Sequence, residues 1–298
     1  QAIAEHLAVL AAVAGVDGDA AAATSMSQEA LSLWKSLGVR DAVARFHTTM
    51  GELMSSAGLL DDARTHLSKA LAAWRRLGDQ VAVSRVATLA GQAAFLLGDL
   101  DEAEPLLREV DEITAANGDE AQRAAALHEL GDVARCRGDL AFAQRLYEQS
   151  LELAQKTGWK RLLWGPVQGL GTLARLRGDT AEAMTLLARS IALRPSLGRR
   201  LGTAACLDEV AAVLHDLGDD ESAAQLIGTA AALREEIRAP IPPVRRADHE
   251  AVLVAVGQAL GAERLGEAMA QGAAMSIDDA VALATSAAAP AVDPPAGG

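Results

Sequence analysis

The residues of this sequence best suited to chemistry are six histidines, two cysteines and several paired acids. The histidines are His6, His47, His66, His128, His215 and His249. A zinc hydrolase of the His-Glu-x-x-His kind needs two histidines one helical turn apart. His128-Glu129 has no second histidine at that spacing, and His47 falls on a predicted packing position and reads as a boundary histidine. Cys136 and Cys206 stand 70 residues apart, with no Cys-x-x-Cys or Cys/His zinc spacing, and read as small apolar residues. Gly169-Leu170-Gly171 lacks the third glycine of a dinucleotide loop and follows no predicted strand, and no Walker motif exists. Asp61-Asp62, Asp101-Glu102, Asp219-Asp220 and Asp278-Asp279 all fall at predicted helix starts, where carboxylates complement exposed N–H groups. No convergent polar cluster of the kind catalysis needs is visible. The expectation is a chain that is not an enzyme and binds no cofactor or metal.

Composition explains what must position these residues. Half the chain is hydrophobic, yet only 3% is aromatic, and alanine and leucine dominate. Both lose little side-chain entropy in a helix, whereas strands want β-branched and aromatic runs. The fold class expected is all-α. The net charge of −13 repels phosphate backbones, so direct contact of this region with nucleic acid is not expected. No apolar run is predicted to span a bilayer, and no signal peptide is read, so no membrane partner and a cytoplasmic setting are expected. The start at Gln1 suggests a fragment of a longer protein.

Glycine supplies the organisation. Gly18, Gly58, Gly98, Gly138, Gly178 and Gly218 recur every 40 residues, as do Gly38, Gly78, Gly118, Gly158 and Gly198. A third series, Gly51, Gly91, Gly131 and Gly171, has the same period and lies seven residues before members of the first. The first two series predict helix ends, where glycine permits a left-handed residue. Asp139 after Gly138 predicts a helix start. Glycine inside a helix costs about 1 kcal/mol against alanine, so Gly131 predicts a close crossing, with Ala143 as the small residue across it. In the unit 119–158, helix A is predicted over 120–137 and helix B over 140–157. Leu127, Leu130 and Ala134 form one apolar stripe, and Ala143, Leu146, Tyr147, Leu151 and Ala154 the other. The repeats predicted are 1–38, 39–78, 79–118, 119–158, 159–198 and 199–238, stacked so that neighbours build one core.

After position 238 the register stops at Ala239-Pro240-Ile241-Pro242-Pro243. Helices are predicted over 244–260, 262–271 and 277–287, the last opened by a Ser276/Asp279 capping box. Residues 239–288 are expected to cap the array, and 289–298 to be an Ala/Pro-rich linker.

Leu127, Leu130-Gly131, Ala134, Gly138-Asp139, Ala143, Tyr147 and Ser150-Leu151 resemble the signature of the tetratricopeptide repeat. The period of 40 departs from that family's usual 34, and most of its aromatic positions are Leu, Ala or Ser here. The resemblance covers 1–238 and implies a right-handed superhelical solenoid whose A helices line a concave groove. The groove positions it implies are Arg45, Thr48, Glu52, Arg85, Gln92, His128, Asp132, Arg135, Trp164, Gln168, Thr172 and Arg175. They would receive a peptide, a protein face or a small-molecule inducer. Trp159 and Trp164, beside Lys160 and Arg161, read either as a binding hot spot or as cover for a gap left by small residues. A second resemblance runs through Ala223–Arg234, Pro240-Ile241-Pro242-Pro243, Arg246, Glu250 and Met275–Ala284. These residues are similar to the end of the repeat region in large actinobacterial-type signal-transduction ATPases, many of them LuxR-type transcriptional regulators. That resemblance implies a sensor module with ATPase and DNA-binding domains in cis. A stand-alone adaptor is the alternative.

Overall fold

The computed structural model describes residues 2–16, 20–39, 41–193, 200–237 and 239–286. Gly18, Gly198, residue 238 and the 289–298 tail, on which expectations were placed, lie outside the described residues. All regular structure among the described residues is helical, in fifteen α-helices and one 3-10 turn. The architecture is an all-α repeat of helix hairpins.

The chain divides into two compact units. The first, Gln1–Arg137 with Arg238–Arg245, holds α1 (Ala2–Val16), α2 (Ala20–Ser36), α3 (Ala42–Ser56), α4 (Leu60–Leu77), α5 (Gln80–Leu97), α6 (Leu100–Asn117) and α7 (Glu120–Cys136). The second, Gly138–Ile237 with Arg246–Gly298, holds α8 (Leu140–Thr157), α9 (Trp164–Leu176), α10 (Thr180–Ala192), α11 (Arg200–Asp216), α12 (Asp220–Glu236), most of α13 (Pro243–Leu260), α14 (Ala262–Ala273) and α15 (Ile277–Ser286).

Helix ends follow from local chemistry. Gly118 closes α6 at φ 78°, and its counterparts Gly78, Gly98 and Gly158 are left-handed in the same way. Where aspartate follows the glycine, it caps the following helix; Trp159 after Gly158 and Leu59 after Gly58 do not. Asp139 accepts from the Phe142 N–H at 2.9 Å, and Asp79, Asp99, Asp119, Asp179 and Asp219 repeat the arrangement. An N-cap of this kind contributes about 1 kcal/mol, so local chemistry marks most of these helix boundaries, although α3, α4 and α9 start without a side-chain cap.

Three mid-helix glycines mark crossings, and at each the nearest side chain is a leucine one turn beyond the alanine position. A Cβ on Gly51 would lie 2.6 Å from Leu67, one on Gly91 2.8 Å from Leu107, and one on Gly171 3.0 Å from Leu187. Each leucine is sixteen residues on and fully buried. Helix B descends across helix A so that the branched end of the leucine falls into the glycine notch, while Ala63, Ala103 and Ala183 pack one turn earlier. Burying such a leucine stabilises by roughly 1.5–3 kcal/mol, which outweighs the glycine's helix penalty. Position 147 carries tyrosine in place of that leucine, and the facing residue is Gly169, whose Cβ would sit 2.4 Å from the ring. Gly169 is therefore a second notch, cut for the larger side chain.

By length and composition α5 could cross a bilayer, a property not foreseen from the sequence. It packs between α4 and α6, with Val83, Val86, Ala90, Ala94 and Phe95 buried in the first unit. In the second unit α14 crosses α12, and α15 lies against α10, α11 and α12. Ser276 caps α15, with the Asp279 N–H donating to Ser276 Oγ at 3.1 Å, while the Asp279 carboxylate accepts from the Ser276 hydroxyl at 2.6 Å and so meets the side chain of the cap where a capping box uses its backbone N–H. Ala239, at the start of the proline-rich segment, is buried in the first unit close to Gly58.

Candidate functional site

In the first unit, helices α3, α5 and α7 are neighbours, each the first of its hairpin. Their polar positions meet across repeats. Arg85 Nη1 on α5 donates to Glu52 Oε1 on α3 at 3.3 Å. Gln92 Nε2 on α5 donates to Glu129 Oε1 on α7 at 3.0 Å. Deeper, Ser84 Oγ and Gln122 Oε1 are 3.2 Å apart, and Gln122 Nε2 reaches Thr88 Oγ1 at 3.4 Å. Two successive turns of α7 then carry His128, Asp132 and Arg135, with His128 Nε2 3.7 Å from Asp132 Oδ2 and Arg135 Nη2 3.6 Å from Asp132 Oδ1.

Glu52 and Arg85 are exposed, so their pair is screened and contributes at most about 1 kcal/mol. Around Asp132 the side chains keep only 11–15% of their surface in solvent. Charges held there in low dielectric act more strongly on an incoming group. Donor atoms of His128, Glu129 and Asp132 lie within 4.8 Å of one another and could hold a cation, although Gln92 and Arg135 already engage the two carboxylates.

Other expected lining residues are placed differently. Arg45 is taken by Asp41 on the preceding turn and sits 6.0 Å over the Trp74 ring. Thr48 is buried: its hydroxyl donates to the Ala44 carbonyl and accepts from Trp74 Nε1 at 3.0 Å. It ties α3 to α4 and offers nothing to a groove. In the second unit, Gln168 and Thr172 are buried on α9, while Arg175 Nη1 donates to Asp216 Oδ2 on α11 at 3.1 Å. The Trp164 carbonyl accepts from Ser190 Oγ at 2.8 Å. Trp159 is half exposed, with the Arg161 guanidinium stacked 4.5 Å from its ring centre.

Glu129, Gln122 and Asp216 were missed by sequence reasoning. Their partners lie between 34 and 41 residues away, close to one repeat. Pairing polar residues at one repeat length, as well as by face, would have found them.

The arrangement supplies hydrogen-bond donors and acceptors and both charge signs on adjacent helices. Two overlapping matches to the tetratricopeptide repeat family cover residues 42–115 and 85–156. Together the two matches span residues 42–156. A search of curated sequences gives no match. Among solved structures, the chain is similar to BtubC (BKLC) from P. vanneervenii, with TM-score 0.53, 20% identity, and 78% of this chain and 95% of that one covered. It is also similar to the Rap conjugation gene regulator of plasmid pLS20, solved in complex with the Phr* peptide. There the TM-score is 0.52 at 16% identity, over 85% of this chain and 75% of that one. At these identities the likeness is one of fold.

Proposed function

We propose that the chain is a non-catalytic interaction module that receives a protein or peptide segment on the polar face of α3, α5 and α7. The observation that carries this reading is the row Glu52–Arg85 and Gln92–Glu129, where polar side chains link successive repeats instead of filling the core. Tetratricopeptide folds bind proteins or peptides, and the Rap regulator's peptide complex is a case within the same fold class. An extended segment running across the repeats would exchange its own amides and charges for these cross-repeat bonds.

The finer reading is a sensor arm in a cytoplasmic, multidomain ATP-dependent transcriptional regulator. The resemblance of Ala223–Arg234 and Met275–Ala284 to such regulators supports it. A segment or small-molecule inducer would then shift the parent between states in proportion to its differential affinity for them. A stand-alone adaptor would use the same face.

The test is site-specific photocrosslinking in cells, with the probe at Gln92 and a control probe at Ser68, an exposed position on α4. Crosslinks to a protein or peptide from position 92, lost on Arg85→Ala with Glu129→Ala, support the reading. Equal yields from both positions would sink it. Sequencing the gene on both sides of the segment separates sensor arm from adaptor.

A further inference from the structure

His47 on α3 and His66 on α4 face each other within one hairpin, outside the polar row. Their Nδ1 atoms are 3.1 Å apart, and the rings, 5.1 Å between centroids, are inclined at 59°. Two imidazole nitrogens cannot meet at this distance with both lone pairs or both protons between them. One ring must carry Nδ1–H and donate, and the other accepts. Phe46 packs against both rings, at 5.2 Å from His47 and 6.2 Å from His66. Each histidine nevertheless keeps part of its surface in solvent.

We propose that His47 and His66 form a two-imidazole chelate for a borderline transition-metal cation, Zn²⁺, Ni²⁺ or Cu²⁺, bound through the two Nδ1 atoms. Metal–imidazole bonds run near 2.0–2.1 Å. Nitrogens 3.1 Å apart then subtend roughly 100° at the ion, between the square-planar and tetrahedral angles. The bite is set before any ion arrives, because α3 and α4 are packed along their length and Phe46 backs both rings. Each ring has only to turn about χ2, a broad torsion, to aim its lone pair at the ion instead of at its partner.

Protons balance without a co-reactant. The ring that held Nδ1–H moves that proton to Nε2 through solvent, so both rings bind as neutral Nε2–H tautomers and none is released at neutral pH. Burial, the partner ring and Lys69 bring His47 down to about 4, and burial and Lys69 also lower His66, so protons do not compete near pH 7. Asp62 on the turn before His66 adds a favourable negative charge, and the Lys69 ammonium opposes the ion. Two imidazoles select against Mg²⁺ and Ca²⁺, which demand oxygen. The rival cluster of His128, Glu129 and Asp132 offers one imidazole and two carboxylates that are already engaged.

The experiment uses the full chain, freed of metal with chelator and titrated with ZnCl₂ and NiCl₂ by calorimetry, with thermal melts in parallel. One ion should bind and raise the melting temperature. His47→Gln and His66→Gln should each weaken it at least about tenfold, whereas His128→Gln should leave it unchanged. Affinity unchanged in the first two variants overturns the proposal, as does the absence of binding to the parent chain. Should the variants fail to fold, ¹⁵N-imidazole NMR of the parent chain decides. Zinc must move the Nδ1 signals of both rings, and a response at neither, or at Nε2 alone, refutes the site.

Discussion

Gly272→Ala would add a single methyl group at the crossing of α14 over α12, and the surroundings leave it no room. Its Cβ would lie 1.8 Å from the Gln225 carbonyl oxygen and 2.8 Å from Gln225 Cα, all of it backbone. Gly228 presents the same problem from the other helix, 2.1 Å from the Met269 oxygen. No rotamer change relieves a clash with main chain, so the helices must separate by more than 1 Å to pass the 3.0 Å that real Cβ contacts respect. Overpacking of this kind costs about 1–3 kcal/mol, with backbone obstacles at the upper end. Separation also lengthens the bond from Thr229 Oγ1 to the Gly272 carbonyl, now 2.7 Å, a loss of about 1 kcal/mol. Alanine's better helix propensity returns about 1 kcal/mol. The net expectation is a loss of about 2–3 kcal/mol, read as a fall of roughly 5–10 °C in the melting of the second unit. Gly266→Ala, on the same helix with nothing within 4 Å, is the control and should gain about 0.5–1 kcal/mol. Thermal unfolding followed by circular dichroism on both variants makes the comparison. A Gly272→Ala protein as stable as the parent would refute the crossing.

Gly169→Ala should destabilise by about 1–3 kcal/mol through the Tyr147 ring. Tyr147→Leu in the same chain should restore most of that loss, because leucine occupies the matching place at Leu67, Leu107 and Leu187; urea midpoints of the double-mutant cycle report the coupling. Acid should weaken the metal-free first unit through His47. Its folded-state pKa of about 4 lies below the ordinary 6.5, so the folded form binds fewer protons; stability is full above pH 6.5 and declines as pH falls toward 4. Half exposure reduces the nominal effect to about 1 kcal/mol, and His47→Gln should flatten the decline when urea midpoints at pH 7.5 and 4.5 are compared in chelator. Asp139→Ala should cost about 1 kcal/mol by releasing the Phe142 N–H, measured by the same urea titration.

The hairpin frame was legible because its determinants are local. A left-handed glycine followed by a capping aspartate sets the helix boundary within three residues at Asp79, Asp99, Asp119, Asp139, Asp179 and Asp219, and periodicity makes the pattern unmistakable. Contacts between elements were legible only to the nearest turn. The Gly91 notch meets the Ala103 carbonyl at 3.5 Å but takes the Leu107 side chain more closely, since sequence fixes a helical face but not how far one helix slides along another. The same limit explains the site. The resemblance implied one lining face for Glu52, Arg85, Gln92 and Thr48 alike; the first three have partners on neighbouring repeats, whereas the Thr48 hydroxyl is consumed by Trp74. The Gly228/Gly272 crossing occurs once, outside the repeat, and had no periodic signal to reveal it.

The energetic division between frame and polar face bears on how such a surface acquires specificity. Caps, notches and buried leucines each supply from about 1 to 3 kcal/mol, and they sit on helix-start aspartates, glycines and leucines, none of them in the polar row. The Glu52–Arg85 pair, by contrast, is exposed and screened, worth at most about 1 kcal/mol. Glu52→Ala with Arg85→Ala should therefore leave the unfolding midpoint within the equivalent of about 1 kcal/mol while removing two of the groups offered to a partner. A large loss of stability in that variant would mean that the polar row is part of the frame, and the face it lines would lose its claim to be a binding surface. If stability holds, the composition of the row is free to change from one repeat to the next without touching the fold. Copies as alike in their glycines as these can then differ at Glu52, Gln92 and Asp132, the positions that would distinguish one bound segment from another.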